Sequence, residues 1–350
     1  MKYLNFPLRF RLTMKYTVIL LFLLPLTLLS QEDPEALVRQ GVTLYDKGEY
    51  KEALKILERA RDIWPRSSTI LSEVALTRYS LGDYDGCLRL ADSVLVIRDN
   101  NLTQGYLLKA SALMQQGKLA ESSETLIDGI RDTGGDVELF YNLGINFITE
   151  KKFNEAEICF LNAINFKPTH SSSYLRLAEL NRETNPAKAL LAGCQFLLLE
   201  PNSKRSKPAF ELIEQILNGK FISASMDLQK SQDFDHAIDA DSTYVFANAI
   251  LRLDAETNFK NNGIVDFDYF SAELKKISLK CIERIEYEEH DVWRGYLIPF
   301  FADIFKSGFG DVFCNYIAQS RWPACSLWLN NRRSEFERFT AFLKSEEEKK

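Results

Sequence analysis

Histidine is scarce in this 350-residue chain, which has only His170, His236 and His290. None has a second histidine four residues on, the spacing at which one helix face holds zinc. Glu288-Glu-His-Asp291 sets carboxylates beside a histidine, but adjacent residues point away from one another on a helix. His170, beside Ser171-Ser-Ser173, reads as an exposed or capping residue. No glycine loop of the phosphate-cradling kind is present, nor a nucleophile elbow. Gly134-Gly135 is a lone pair that reads as a turn. The sequence therefore supplies no catalytic, cofactor or metal constellation. A basic excess is missing too: 43 Lys and Arg face 49 Asp and Glu, for a net charge of −6. With no basic stripe, nucleic acid and anionic lipid are poor partners.

A membrane-length apolar run is also lacking. The longest run, Val18 to Leu29, falls short of the roughly 18–20 residues needed to span a bilayer, and Pro25 interrupts it. It follows Lys2, Arg9, Arg11 and Lys15, with no acidic residue among them, and ends at Ser30. That is the pattern of a signal peptide over residues 1–30 cleaved after Ser30, with Met14 as a better-proportioned start. Export to the periplasm or cell envelope is the expectation, an uncleaved anchor at residues 16–30 the alternative. Membrane contact would come only through that segment. No Cys stands near the cleavage point, which disfavours a lipid anchor. Without the segment the chain carries 39 basic and 49 acidic groups, a charge of −10.

What is present is a period. Asp46-Lys-Gly-Glu-Tyr-Lys-Glu-Ala53, Leu81-Gly-Asp-Tyr-Asp-Gly-Cys87, Gln116-Gly-Lys-Leu-Ala-Glu-Ser122 and Glu150-Lys-Lys-Phe-Asn-Glu-Ala156 superimpose. Their closing residues step by 34, 35 and 34, and Ala189 follows 33 later. Leu37, Leu71, Tyr106, Phe140 and Tyr174 form a bulky column, with Gly41, Ala75, Ala110, Gly144 and Ala178 a small column four residues on. Pro65, Asp99, Gly134, Pro168 and Pro201 punctuate the ends. Each unit reads as two helices: Phe140, Leu143, Gly144 and Phe147 share one face, then Phe153, Ala156, Phe160 and Ile164 another. Gly48, Gly82 and Gly117 end first helices in a left-handed C′ residue, and Pro65, Pro168 and Pro201 stop second ones. One hairpin cannot bury its own apolar face, so the units must stack.

These columns resemble the tetratricopeptide repeat over Pro34 to Pro201, as five units at 34–67, 68–101, 103–136, 137–170 and 171–201. The third departs from the pattern at Ser122 and Gly129, and the fifth lacks a turn residue at Asn185-Pro186. The resemblance implies an all-α, right-handed helical solenoid whose concave face, lined by first helices, binds a peptide or protein segment. By that register the groove residues are Arg39, Tyr45, Tyr79, Tyr141, Asn142, Arg176 and Arg182, with packing between repeats the competing role for the tyrosines. The clamp for chaperone carboxylates needs Lys and Asn where this chain has Val38, Val42, Ser72 and Leu76, so that mode is excluded. The implied function is a non-catalytic scaffold or adaptor whose partner is unknown.

Beyond Pro201 the period fades into a helical region at 205–350. Its irregular segment is 220–243, and its helices are expected near 206–218, 244–256, 267–286, 292–306 and 311–319. Pro323 opens another, and Ser334-Glu-Phe-Glu337 reads as a capping box for a last one. Trp293, Trp322 and Trp328 lie here among many Phe and read as core, with a docking surface as the lesser reading. The region resembles the C-terminal part of uncharacterised repeat proteins of Bacteroidetes, a likeness that carries no activity. The rival reading is an enzyme or small-molecule-binding domain at 205–350, recruited to its target by the solenoid. Of six cysteines, Cys87, Cys159 and Cys194 read as buried thiols, and Cys314 and Cys325 as a weak candidate pair.

Overall fold

The structure is a computed structural model that describes residues 32–219, 242–260, 264–283 and 285–347. The expected signal peptide, His236 and most of the expected irregular segment lie outside them. The described residues are all-α, without a strand. Ten helices form the repeats: α1 Pro34–Asp46, α2 Tyr50–Ile63, α3 Ser68–Ser80, α4 Tyr84–Ile97, α5 Leu102–Gln115, α6 Leu119–Thr133, α7 Val137–Thr149, α8 Phe153–Phe166, α9 Ser171–Asn181 and α10 Pro186–Leu199. They pack in consecutive pairs. Among the described residues seven more follow: α11 Ser206–Leu217, α12 Ser242–Lys260, α13 Phe267–Ile282, α14 Ile298–Lys306, α15 Gly310–Ile317, α16 Pro323–Asn331 and α17 Arg333–Glu347. The chain divides into two compact units, Met1–Asn101 and Leu102–Lys350.

The hairpins form because small residues let two helices touch. Ala53, Cys87, Ser122, Ala156 and Ala189 are all buried. A Cβ added to Gly41 would lie 2.5 Å from Leu57, and one on Gly144 would lie 2.7 Å from the Phe160 ring. Four first helices end alike. Gly48, Gly82, Gly117 and Lys151 have φ of 79°, 81°, 75° and 60°. In each case the next amide reaches back across the turn: Glu49 N to Leu44 O, Asp83 N to Arg78 O, Lys118 N to Leu113 O and Lys152 N to Phe147 O, at 2.8–3.0 Å. Only the fourth places a side chain in that left-handed turn. The shortened fifth turn contains no such residue; Asn185 N reaches Asn181 O at 2.8 Å, and Pro186 opens α10.

The departures in the third unit have structural partners. Ser122 Oγ donates to the Ala110 carbonyl at 2.8 Å, and Asn146 Nδ2 donates to Ser122 and Ser123 at 2.9 and 3.2 Å. Gly129 makes room for Tyr106, whose ring would lie 2.9 Å from an added Cβ.

In the first unit one buried cluster joins Leu37, Leu57, Ala60, Ile70 and Val74, and Leu71, Ala75, Cys87, Ala91 and Val94 are buried as well. In the second, one core runs from Ala156 of α8 to Phe339 of α17, so α11–α17 share it with the last hairpins. Phe210, Phe270, Phe301, Phe313 and Phe339 are fully buried in it. Trp293 is buried, and Trp322 and Trp328 pack against the same cluster. The stretch expected as one helix at 292–306 begins instead with a π-helical turn, Val292–Leu297. Pro299 has no N–H to give Gly295 and its ring crowds that carbonyl, so the preceding ladder widens: Ile298 N donates to Trp293 O. The expected Ser334–Glu337 capping box does not start the last helix. α17 begins at Arg333, so Ser334 lies inside its first turn, and the Arg332 carbonyl accepts from Glu335 N and Phe336 N at 3.0 Å.

No cysteine is in a disulfide, and all six are buried. Burial pushes the Cys87, Cys159 and Cys314 thiols up to about 12 and Cys325 to about 11, which keeps them protonated and unreactive. No described helix is long and apolar enough to cross a membrane.

Candidate binding faces of the repeat hairpins

Within the first unit, Arg39, Tyr45 and Tyr79 occupy first helices. Arg39 is exposed on α1, with its guanidinium 3.5 Å from Asp33 and 3.7 Å from Glu35. It borders a cleft of about 350 Å³ lined also by Pro34, Val38, Trp64, Ser67 and Ile70. Trp64 is 46% exposed there. The groove register does not pick out Trp64, because it closes α2 rather than lying on a first helix. Its only sequence signal is a tryptophan directly before the unit-ending Pro65. Tyr45 and Tyr79 are half-buried and act partly in packing. The Tyr45 hydroxyl meets Ser80 Oγ at 2.8 Å, while the Tyr45 and Tyr79 rings contact Tyr50 and Tyr84 at 5.1 and 5.6 Å. Beside them Arg78 bridges Glu58 and Asp83, at 2.6 Å to each. The hydrogen bond to Glu58 leads in raising the Arg78 pKa, with Asp83 reinforcing it.

Within the second unit, Tyr141 and Arg176 come together. Arg176 Nε donates to the Tyr141 hydroxyl at 3.4 Å, and its Nη1 pairs with Glu179 at 2.7 Å. Burial opposes the Arg176 charge, but those two partners outweigh it and raise the pKa. The Tyr141 ring also stands edge-on to His170 at 5.2 Å. His170 is neither freely exposed nor a donor-satisfying cap: its Nδ1 meets Ser173 Oγ at 2.8 Å and its Nε2 lies 3.8 Å from Glu138. Burial pushes its pKa down, Glu138 opposes, and Lys167 and Arg205 add to the depression. The sequence could not place His170 against Tyr141, since the contact needs α7 and the α8–α9 turn together. Asn142 turns back to its own helix, donating to the Glu138 carbonyl at 2.8 Å. Arg182 follows α9 and pairs with Glu183 at 3.1 Å, away from that contact set.

A second cleft in this unit, of about 510 Å³, is lined by Asn165, Tyr287, His290, Tyr296, Asp303 and Glu346, among others. Asp291 at its edge is already engaged, capping Trp293 N and Arg294 N at 2.8 and 2.7 Å. Among the described residues no group of three or more His, Cys, Asp or Glu is arranged to hold a metal ion.

No family model matches the chain, and no curated protein matches it. Solved structures similar to it include TTC0263, a thermophilic tetratricopeptide-repeat (TPR) protein of Thermus thermophilus. It is 24% identical, covers 52% of this chain and 99% of its own, and has a TM-score of 0.45. YrrB, a TPR protein with an unusual peptide-binding site, is 15% identical over 52% of this chain and 93% of its own, at 0.37. PilF of Pseudomonas aeruginosa is 16% identical over 58% and 96%, at 0.40. These likenesses span little more than half of the chain, and the assignment rests on its own columns, turns and close helix approaches. Pro34–Leu199 folds as five helical hairpins of the tetratricopeptide-repeat type.

Proposed function

We propose that the protein is a non-catalytic scaffold or adaptor of the cell envelope that binds a peptide or protein segment through the first-helix faces of its hairpins. One observation carries the reading: Tyr141, Arg176 and His170 are drawn into one partly exposed set above a filled core. Tyrosine and arginine anchor interfaces more often than other side chains do. The half-exposed Trp64 beside Arg39 gives the first unit an anchor of the same chemistry. In a pull-down from envelope extract, changing Tyr141, Asn142 and Arg176 together to Ala should abolish capture of the partner. Capture at the wild-type level would move the interface elsewhere.

The envelope location rests on residues 1–30 alone. Amino-terminal sequencing of protein from its native cell should begin at Gln31; a start at Met1 or Met14 would support the anchor or refute export. The second reading, a small-molecule site in 205–350, draws its support from the cleft at His290, Tyr296 and Asp303. Ligand-induced stabilisation in a thermal-shift screen that His290→Ala removes would favour it.

A further inference from the structure

Glu273 on α13 is a charged residue in an apolar place, with only 4% of its surface exposed. One carboxylate oxygen accepts from Lys276 Nζ at 2.6 Å, one helical turn on, while Oε2 is buried without a hydrogen-bond partner. The same Lys276 ammonium reaches Asp254 Oδ2 on α12 at 2.8 Å. Two carboxyl groups on facing helices thus share one cation. Fully ionised, the set carries a net negative charge, and the Glu273 carboxylate bears its share in a desolvated position while Lys276 and Asp254 keep part of their surface in water, so it is the Glu273 charge that is costly. With a proton on Glu273 it is neutral, and the acid can donate to the Asp254 carboxylate.

We propose that Asp254, Lys276 and Glu273 form a protonation latch that holds α12 on α13 more firmly in acid than at neutral or alkaline pH. Burial is the leading cause that raises Glu273, and the Asp254 charge adds to it; Lys276 opposes both without cancelling them. A carboxyl group raised in the folded state keeps its proton after the unfolded chain has released it. The latch is therefore intact below the ordinary glutamate value of 4.5 and weakens as pH rises from there through the folded value.

The surroundings do not offset this. On α13 the other titratable neighbour is Tyr269, whose hydroxyl donates to the Leu217 carbonyl of α11 at 3.3 Å. Glu273 and Asp254 act on Tyr269 only after burial in raising it. On α11, Lys207 and Glu211 are exposed and Glu214 is paired with Arg321. Lys188 of α10 is taken by Glu157 at 3.0 Å and stands over the Tyr244 and Trp293 rings. Asp303 and Lys306 of α14 and Asp311 of α15 face solvent, and the Cys314 thiol of α15 stays protonated. On α12 itself Glu256 is exposed, and Arg252 lies two residues from Asp254, toward the other side of the helix.

The latch has something to control. α12 buries Tyr244, Ala247, Leu251 and Ala255, and Asn248 ties it to α10 through the Ala187 amide at 2.8 Å and Asn185 at 3.1 Å. Release of α12 would uncover an apolar strip on the second unit.

Hydrogen exchange of the full chain between pH 5 and 8, corrected for intrinsic exchange, tests the proposal over residues 247–258. The opening constant should rise with pH by up to about tenfold per unit, the limit for one linked proton. Glu273→Gln should remove the slope, and Asp254→Asn should move it to lower pH. Circular dichroism first establishes that each variant is folded; if Glu273→Gln is not, Asp254→Asn decides. A flat wild-type profile, or slopes unchanged in the folded variants, would overturn the latch.

Discussion

The repeat hairpins and the C-terminal helices bury the same kind of apolar helix face with opposite materials. In the hairpins, Ala53, Ala75, Gly144 and Ala156 bring backbones close, and single larger residues such as Leu57 and Phe160 fill the remaining space. In α11–α17 the filling is aromatic: Phe210, Phe270 and Trp322 meet at 5.0–6.0 Å, and Phe313 touches Phe301, Phe305 and Phe339. The first design depends on absent side chains, the second on present ones. They should therefore fail under opposite substitutions.

The largest effect is expected where an aromatic is removed. Phe313→Ala should cost about 3–5 kcal/mol in the second unit's unfolding by chemical denaturation, because it deletes a fully buried ring. A loss below about 1 kcal/mol would show that this core is loosely packed. The converse change belongs in the hairpins. Gly144→Val should cost about 1–3 kcal/mol, since even its Cβ would lie 2.7 Å from the buried Phe160 ring. A neutral result would mean that α7 and α8 can separate freely.

Smaller effects sharpen the contrast within the repeats. Lys151 holds a left-handed φ of 60° where three other units have glycine, so Lys151→Gly should stabilise by up to about 1 kcal/mol. Thermal unfolding would register it as a raised midpoint; a lowered one would show that the Lys151 side chain contributes more than its backbone costs. The smallest is electrostatic. His170 is depressed chiefly by burial, so it binds its proton later in the folded state than in the unfolded one. Its contribution to stability is present above 6.5 and is lost as pH falls from there through the depressed folded value. An NMR titration should place its midpoint below 6.5, and Glu138→Gln should lower it further by removing the opposing charge. A midpoint at or above 6.5 would refute the burial argument.

The two regions also differed in how well they could be read. The hairpins were legible because a constraint repeated five times shows as a column: Gly41 and Gly144 are small for the same reason, a leucine or phenylalanine pressed against the backbone. The C-terminal helices came out near their expected positions, yet their arrangement did not. Contacts such as Phe210 with Phe270, or Gln195 Nε2 with the Tyr296 hydroxyl at 3.2 Å, join residues with no shared period. The π-helical turn was hidden because it depends on how the ladder absorbs Pro299. At the candidate faces, family register pointed to Tyr141 and Arg176, which the fold brings together, and equally to Asn142, which bonds its own helix. Register fixes a helical position but not what a side chain finds there. His170 and Trp64 come from a turn and a helix end, where the register is silent.

The central claim, that first-helix faces bind a peptide or protein segment, is tested most directly by calorimetry with peptides selected from a random display library on the full chain. Tyr141→Ala with Arg176→Ala should weaken their binding at least about tenfold, roughly 1.4 kcal/mol, with the fold unchanged by circular dichroism. Binding retained within about twofold of wild type, on that same energy scale, would contradict it.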